Sequence, residues 1–259
     1  MRKIITSAVV LFLTVLSALH GLGQQTDNTM DLYLLIGQSN MSGRGPITDQ
    51  FKAEGNDHVL MLDKAGNWVQ AKHPLHFDKP SVAGVGPGLC FGIAMQKKNH
   101  GKTVGLIPCA VGGTAIDVWK PGAYDKATDT HPYDDAVKRL AIAMQSGKLK
   151  GVLWLQGESD SDSSKAKNYL PKLIELIARI REIATDTNLP FVVGELGRYK
   201  DTYRYINDEL HKLPELVQHT AVASSRGFKD KGDLTHFDSK SADAYGKRFA
   251  KKMKQLQKN

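Results

Sequence analysis

An α/β fold, with a parallel sheet covered by helices on both faces, is predicted by three features of the sequence. From Asp31 onward, short apolar runs alternate with longer segments whose apolar residues recur at helical spacing. Runs such as Leu32 to Ile36 are continuously apolar, as strands buried on both sides are. Several runs stop on polar, glycine-rich turns, which is how strands end at the ligand-binding edge of an open sheet.

Taken in order, strands are expected at Leu32 to Ile36, Val59 to Leu62, Thr103 to Ile107, Val152 to Leu155, Phe191 to Val193 and Val217 to Ala223. Helices are expected from Gly88 to Asn99, Asp134 to Ser146, Tyr169 to Ala184, Thr202 to Lys212 and Ser239 to Leu256. In the third of these Leu170, Leu173, Ile174, Ile177 and Ile180 recur at three and four, as do Ala242, Tyr245, Phe249, Met253 and Leu256 in the last. The stretch from Lys64 to Gly88 reads as a long irregular segment, which either lines a cleft or wraps the surface. His73 and His76 within it lack a Cys or carboxylate at ligand spacing and are read as loop histidines. No repeat, low-complexity tract or linker divides the chain, so residues 24–259 are expected to form one domain.

Residues 1–23 read as a signal peptide. Arg2 and Lys3 precede an apolar run from Ile4 to Leu19, and Gly21, Leu22 and Gly23 offer a small-x-small cleavage site. An uncleaved anchor is the rival, but the run is short and is interrupted by Thr14 and Ser17. Export to the periplasm or beyond is the expectation, with no stable membrane association after cleavage. The 259-residue chain carries a formal charge of +8, which falls to +6 without Arg2 and Lys3. Its lysines are scattered over helices and no basic groove is interleaved with aromatics, so nucleic acid is not an expected partner. The oligomeric state is not legible. Cys90 and Cys109 are free to pair in an oxidising compartment or to serve as small core residues, and both readings stay open.

Candidate chemistry gathers at strand ends. The run Leu32 to Ile36 reaches Gly37, Gln38, Ser39 and Asn40, which puts Ser39 where a nucleophile, or merely a turn serine, belongs. After Ile107 the chain runs to Gly112, Gly113 and Thr114, a turn that lets backbone N–H groups approach a ligand. After Leu155 come Gln156, Gly157, Glu158, Ser159 and Asp160, where the Gln156 amide can meet a developing oxyanion or cap a turn. Just before the last helix stand Asp233 and His236. An Asp three residues ahead of a His can accept its Nδ1 proton, leaving Nε2 to take a proton from a serine.

With these residues in view, GQSNMSGRG, VGGTAIDVW, WLQGESD and DLTHFDSKSADAYG resemble the blocks of the SGNH/GDSL hydrolase superfamily. The resemblance is closer to its sialate O-acetylesterase-like branch, which includes family 6 carbohydrate esterases such as acetylxylan esterases. It spans Met30 to the end of the final helix and implies a three-layer flavodoxin-like fold around a parallel sheet of about five strands. By position it implies Ser39 as nucleophile, Asp233 and His236 as acid and base, and the Ser39 N–H, the Gly112 N–H and the Gln156 side chain as the oxyanion hole. Gly113 is close enough to Gly112 that the register can differ by one. No metal and no organic cofactor is implied.

The resulting expectation is a secreted serine esterase that removes O-acetyl groups from a carbohydrate, with acetylated xylan as the leading substrate. O-acetylated sialic acid, a catalytically idle carbohydrate-binding relative, and a longer-chain lipase or thioesterase are the alternatives. Trp119 is either a sugar-stacking platform or a packed aromatic beneath the loop. Glu158 and Asp160 are read as a carboxylate steadying the nucleophile turn and a helix cap, in preference to a cation site. Arg44 either bonds such a carboxylate or faces water.

Overall fold

The computed structural model describes residues 30–52, 57–97 and 101–258. The expected leader lies outside them, as do residues 98–99 at the end of the helix expected to reach Asn99. Along the chain the strands are β1 (Met30–Gly37), β2 (Val59–Leu62), β3 (Trp68–Gln70), β4 (Val104–Pro108), β5 (Gly147–Leu155), β6 (Phe191–Gly194) and β7 (Thr220–Ala223). The α-helices are α1 (Ser39–Ser42), α2 (Gly88–Gln96), α3 (Pro132–Ala143), α4 (Ser163–Ala166), α5 (Tyr169–Ile183), α6 (Tyr203–Leu216) and α7 (Ser239–Leu256).

All seven strands form one sheet in the order β3-β2-β4-β1-β5-β6-β7. Every pairing from β2 to β7 is parallel, and β3 runs antiparallel to β2. The five strands β4-β1-β5-β6-β7 follow the flavodoxin order 2-1-3-4-5. The hairpin β2–β3 then widens the sheet beyond β4, so the expected count of about five becomes seven. Strand β3 falls inside the stretch read as irregular, because three residues are too few for periodicity to register. Its turn is built by Asp63, whose side chain accepts the Asn67 N–H at 2.8 Å and whose carbonyl accepts the Gly66 N–H at 3.2 Å.

Successive side chains of a strand point to opposite faces, and β1 shows how that divides the core. Leu32, Leu34 and Ile36 pack with Val152 and Trp154 of β5 under α3, α5 and α6. Tyr33 and Leu35 pack with Leu153 and Leu155 under α2 and α7. This two-sided burial is why β1 is apolar without alternation. Helix α7 starts where Asp238 accepts the Ser241 N–H at 2.7 Å, a side-chain N-cap. It packs so closely on α2 that a Cβ on Gly246 would lie 2.3 Å from the Pro87 carbonyl oxygen, so only glycine fits.

Cys90 on α2 and Cys109 beyond β4 are both buried and both unpaired, which closes the question of a bridge between them. Burial pushes both thiols up to about 12, so they behave as small apolar residues.

Chain connections run from β1 outward to β2 and β4, then cross back over β1 to β5. The strand order therefore reverses beside β1, and at such a switch point the loops after adjacent strands diverge and leave a crevice. The segments that follow β4, β1 and β5 all end at it.

Candidate active site

Ser39 is placed by the way β1 ends. Gly37 has φ +134°, a conformation that favours glycine, and a Cβ there would lie 2.1 Å from the Leu155 carbonyl oxygen. The chain turns at once into α1, where the N–H groups of Met41 and Ser42 both donate to the Gln38 carbonyl at 3.0 Å. Ser39 and Asn40 precede that first internal bond, so their N–H groups are among the orphan donors of a helix start. Ser39 itself is 6% exposed, at the floor of a cleft of 470 Å³.

The segment before α7 delivers the histidine. Asp230 Oδ2 accepts the N–H groups of Gly232 at 2.8 Å and Leu234 at 2.7 Å, and Leu234 takes φ +54° to complete the turn. Asp233 Oδ1 accepts the N–H groups of Thr235 at 3.0 Å and His236 at 2.8 Å. With that oxygen fixed, the other, Oδ2, lies 2.7 Å from His236 Nδ1. On the far side of the ring, Nε2 lies 3.0 Å from Ser39 Oγ. A carboxylate accepts only, so Nδ1 carries the ring proton and Nε2 is the acceptor for the serine hydroxyl. Ser39 is thus brought into line with Asp233 and His236, nearly 200 positions further along the chain.

Asn40 joins the two loops. Its amide nitrogen donates to the Thr235 carbonyl at 2.9 Å and to the Glu158 carboxyl, and its Oδ1 accepts the Phe237 N–H at 3.0 Å. The residue after Ser39 therefore grips the backbone on both sides of His236. Tyr199 adds a second hold, donating its hydroxyl to Thr235 O at 3.0 Å.

Electrostatics follow from these contacts. Partial burial pushes the Asp233 carboxyl up, but the His236 N–H, the His236 ring and the Thr235 N–H outweigh it and hold the group down at about 2. Burial pushes the His236 ring down, against the opposing pull of Asp233, and the Lys231 and Arg44 charges add to the downward shift. Burial pushes Glu158 up to about 7, with the Asn40 hydrogen bond opposing.

The remaining sequence candidates fare differently. Gly112 is close to the serine, since a Cβ on it would lie 3.4 Å from Ser39 Cβ, but its N–H donates to Asp78 Oδ2 at 2.8 Å. The neighbouring Gly113, φ +92°, lines the same cleft, and its N–H has no acceptor among the described residues. Gln156 is fully buried, and its Nε2 is shared among Gln38 Oε1 at 3.1 Å, Thr114 O at 3.0 Å and Asp160 Oδ2 at 2.7 Å. That amide lies beneath the cleft instead of facing it. Trp119 is corrected to a core residue: it is 1% exposed, donates Nε1–H to Thr114 Oγ1 at 3.2 Å and packs edge-on against Trp154 at 5.2 Å. Glu158 steadies the turn that carries Ser39, through Asn40, as read. Asp160 does not cap the helix that follows it, since Asp162 caps α4; it accepts the Ile116 N–H at 2.9 Å, at the start of the 3-10 turn Ile116–Val118. Arg44 does pair with a carboxylate, but with Asp78 and neither Glu158 nor Asp160: its Nη2 lies 2.7 Å from Asp78 Oδ2 in a buried pair. His76 is also more than a loop histidine, because its Nδ1 accepts the Ala110 N–H at 3.2 Å and so shapes the end of β4.

Sequence reasoning missed two residues here. Asn40 carries no local signal beyond its place beside Ser39. Asp78, which holds Arg44 and Gly112 together, sits in the irregular stretch, where nothing in the pattern marks one acid above another.

With that geometry in place, a family model described as carbohydrate esterase, sialic acid-specific acetylesterase, matches residues 29–255. The chain belongs to that family. This carbohydrate esterase is a carboxylic ester hydrolase of the acetylesterase class. A probable carbohydrate esterase of Arabidopsis thaliana is 32% identical to it over 232 residues, covering 81% of this chain and 85% of the relative. The crystal structure of that Arabidopsis protein aligns at TM-score 0.78 and 28% identity, covering 88% of this chain and 98% of the other. The esterase also shares its fold with NanS, at TM-score 0.69, 17% identity and coverage of 89% and 98%. A carbohydrate acetylesterase from Xanthomonas citri aligns at TM-score 0.68 and 19% identity, covering 87% of this chain and 56% of that one.

Proposed function

We propose that this esterase is exported and releases acetate from an O-acetylated carbohydrate through an acetyl-enzyme on Ser39. The observation that carries the reading is His236, with Nε2 3.0 Å from Ser39 Oγ and Nδ1 2.7 Å from Asp233 Oδ2. His236 takes the Ser39 proton as Oγ attacks the ester carbonyl, and then gives it to the departing sugar hydroxyl. Water enters by the same proton path and frees the enzyme as acetate leaves. The developing oxyanion is met by the Ser39 N–H together with the Gly112–Gly113 turn, where Gly113 has the free donor and Gly112 is held by Asp78. Gln156 supports this arrangement from below by fixing Gln38 and Thr114 on either side of the cleft.

The leading substrate is acetylated hemicellulose, xylan above all, which suits an enzyme that leaves the cytoplasm. A second reading, O-acetylated sialic acid, is favoured by one observation: Lys79, Lys200 and Lys231 line the cleft around Ser39 and would attract a carboxylated sugar. Acetate release from both substrates, with Ser39→Ala as control, separates the two. Release from xylan that the variant abolishes makes this a hemicellulose deacetylase, and release only from sialic acid gives the second reading. No release from either substrate or from short aryl acetates would leave an idle binding protein.

The base role fixes the sign of the pH dependence. Nε2 accepts the serine proton only in the neutral ring, so kcat/KM is expected to rise with pH and then level. Because burial lowers the His236 pKa, the midpoint of that acid limb is expected below the ordinary histidine value of 6.5. A pH–rate profile on a short aryl acetate measures it, and a limb centred above 6.5 would contradict the assignment.

A further inference from the structure

A second cavity, of 540 Å³, opens at the same edge of the sheet beyond β4. Its walls are the stretch around residues 64–79, the end of β4 and the first turns of α3. It shares Lys79 with the Ser39 cleft, and the Arg44–Asp78 pair with its hydrogen bond to Gly112 stands between the two.

We propose that this cavity is a second sugar subsite, which takes a carboxylated sugar unit joined to the acetylated one. The proposal rests on the carbohydrate acetylesterase reading and adds to it a neighbouring unit and a charge. The volume lies within the usual range for small-ligand sites, and the position past the Arg44–Asp78 bridge suits the next unit of a chain better than the sugar being deacetylated.

The walls are preformed. Phe77, half-buried, supplies an aromatic ring, and the Arg139 guanidinium sits 4.6 Å from its centroid. Arg139 in turn donates to the carbonyls of Leu62 at 2.6 Å, Asp63 at 3.0 Å and Pro108 at 3.3 Å. These are the ends of β2 and β4, so the ring is tied to the sheet. An aromatic face covers the C–H face of a pyranose with little entropy to lose. The sequence offered Trp119 for this task, and Trp119 is buried; Phe77 is the ring that borders open space.

Polar groups of the right kind stand behind the ring. Because His76 Nδ1 accepts the Ala110 N–H, and burial pushes its ring down to about 3, the neutral imidazole carries its proton on Nε2. That N–H has no partner among the described residues, and neither has Asp78 Oδ1; both atoms are closed off from solvent, so they form the inner layer of the wall and not the surface a sugar touches. Around the mouth, Lys64 and Lys79 have no ion pair among the described residues, while Lys138 lies 3.8 Å from Asp135. The surplus is positive and suits a carboxylate.

The test compares wild type, Lys64→Glu and Phe77→Ala on three substrates: 4-nitrophenyl acetate, an acetylated neutral xylo-oligosaccharide, and the same oligosaccharide bearing a uronic acid on the adjacent sugar. Wild type is expected to show a KM about tenfold lower for the acidic oligosaccharide at low salt, and Lys64→Glu to erase that gap. Phe77→Ala is expected to raise KM about tenfold for both oligosaccharides. Hydrolysis of the aryl acetate, which does not reach the cavity, is expected to change less than twofold in either variant. Equal KM values for the acidic and neutral oligosaccharides, or a Lys64→Glu variant that slows the aryl acetate in step, would overturn the proposal. Lys64 is exposed, so its variant stands even if Phe77→Ala folds poorly. Calorimetric titration of the Ser39→Ala protein with the deacetylated acidic oligosaccharide reads the subsite without turnover. Binding that the added Lys64→Glu change weakens is expected, and absence of binding would overturn the subsite whether or not the wild type proves to be an esterase.

Discussion

Replacing Ser39 by alanine is expected to lower kcat on acetyl esters by about four to six orders of magnitude. The change removes one oxygen from a residue whose side-chain hydrogen bond is made to His236 Nε2. No backbone bond of α1 depends on it, since Met41 and Ser42 donate to the Gln38 carbonyl and Gly43 to that of Ser39. The melting temperature should therefore stay near that of the wild type while turnover collapses, which separates loss of chemistry from loss of fold. Another hydroxyl borders the cleft, that of Ser159, but its Oγ donates to the Gly113 carbonyl at 3.0 Å and is not within hydrogen-bond distance of the His236 ring. Residual turnover comes from binding and from the oxyanion donors alone. Near wild-type kcat in the variant, measured by acetate release after removal of any contaminating esterase, would sink the covalent route.

How far the site was legible depends on how local each signal is. Ser39, Asp233 and His236 stand out because short patterns mark them: an apolar strand that breaks on glycine, and an Asp-x-x-His just ahead of a helix. Their convergence is a matter of topology and tertiary contact: Ser39 follows β1 and the Asp233–His236 segment follows β7, three strands away in the sheet, and Asn40 ties that segment back to the turn after β1. The direction of a side chain is another matter. Gln156 follows β5 at the same edge, but its amide turns down to Gln38 and Asp160, because register across the sheet decides which polar group is nearest. Trp119 follows a single turn of 3-10 helix at Ile116–Val118, which directs it inward onto Trp154. No spacing rule distinguishes that from an outward ring. Likewise the hairpin β2–β3 and Asp78 were lost in the long irregular stretch, where the organising contacts are made by single residues instead of a period. The broad α/β architecture was legible because it needs only the alternation of strands and helices, summed over many residues.

Asp233→Asn is expected to lower kcat by about three to four orders of magnitude with the local fold intact, through the tautomer of His236 and not through its position. Asp233 Oδ1 accepts the N–H groups of Thr235 and His236, and the asparagine oxygen can take both of those bonds. The amide nitrogen then occupies the place of Oδ2, 2.7 Å from His236 Nδ1. An amide N–H donates, so Nδ1 must become the acceptor and the ring proton moves to Nε2. Nε2–H then points at Ser39 Oγ and cannot receive its proton. The same substitution removes the carboxylate charge that raises the His236 pKa, leaving burial and the Lys231 and Arg44 charges to lower it. The acid limb of the pH profile is therefore expected to shift further down while the plateau falls, a pair of changes that a merely displaced histidine would not produce. Asp233→Ala provides the contrast: it leaves the tautomer free but also releases the turn that Oδ1 holds, so its loss of activity should come with a lower melting temperature. If Asp233→Asn kept wild-type kcat, Ser39 and His236 would be working as a pair. Asp233, whose side chain is 36% exposed, would then be a residue of the turn.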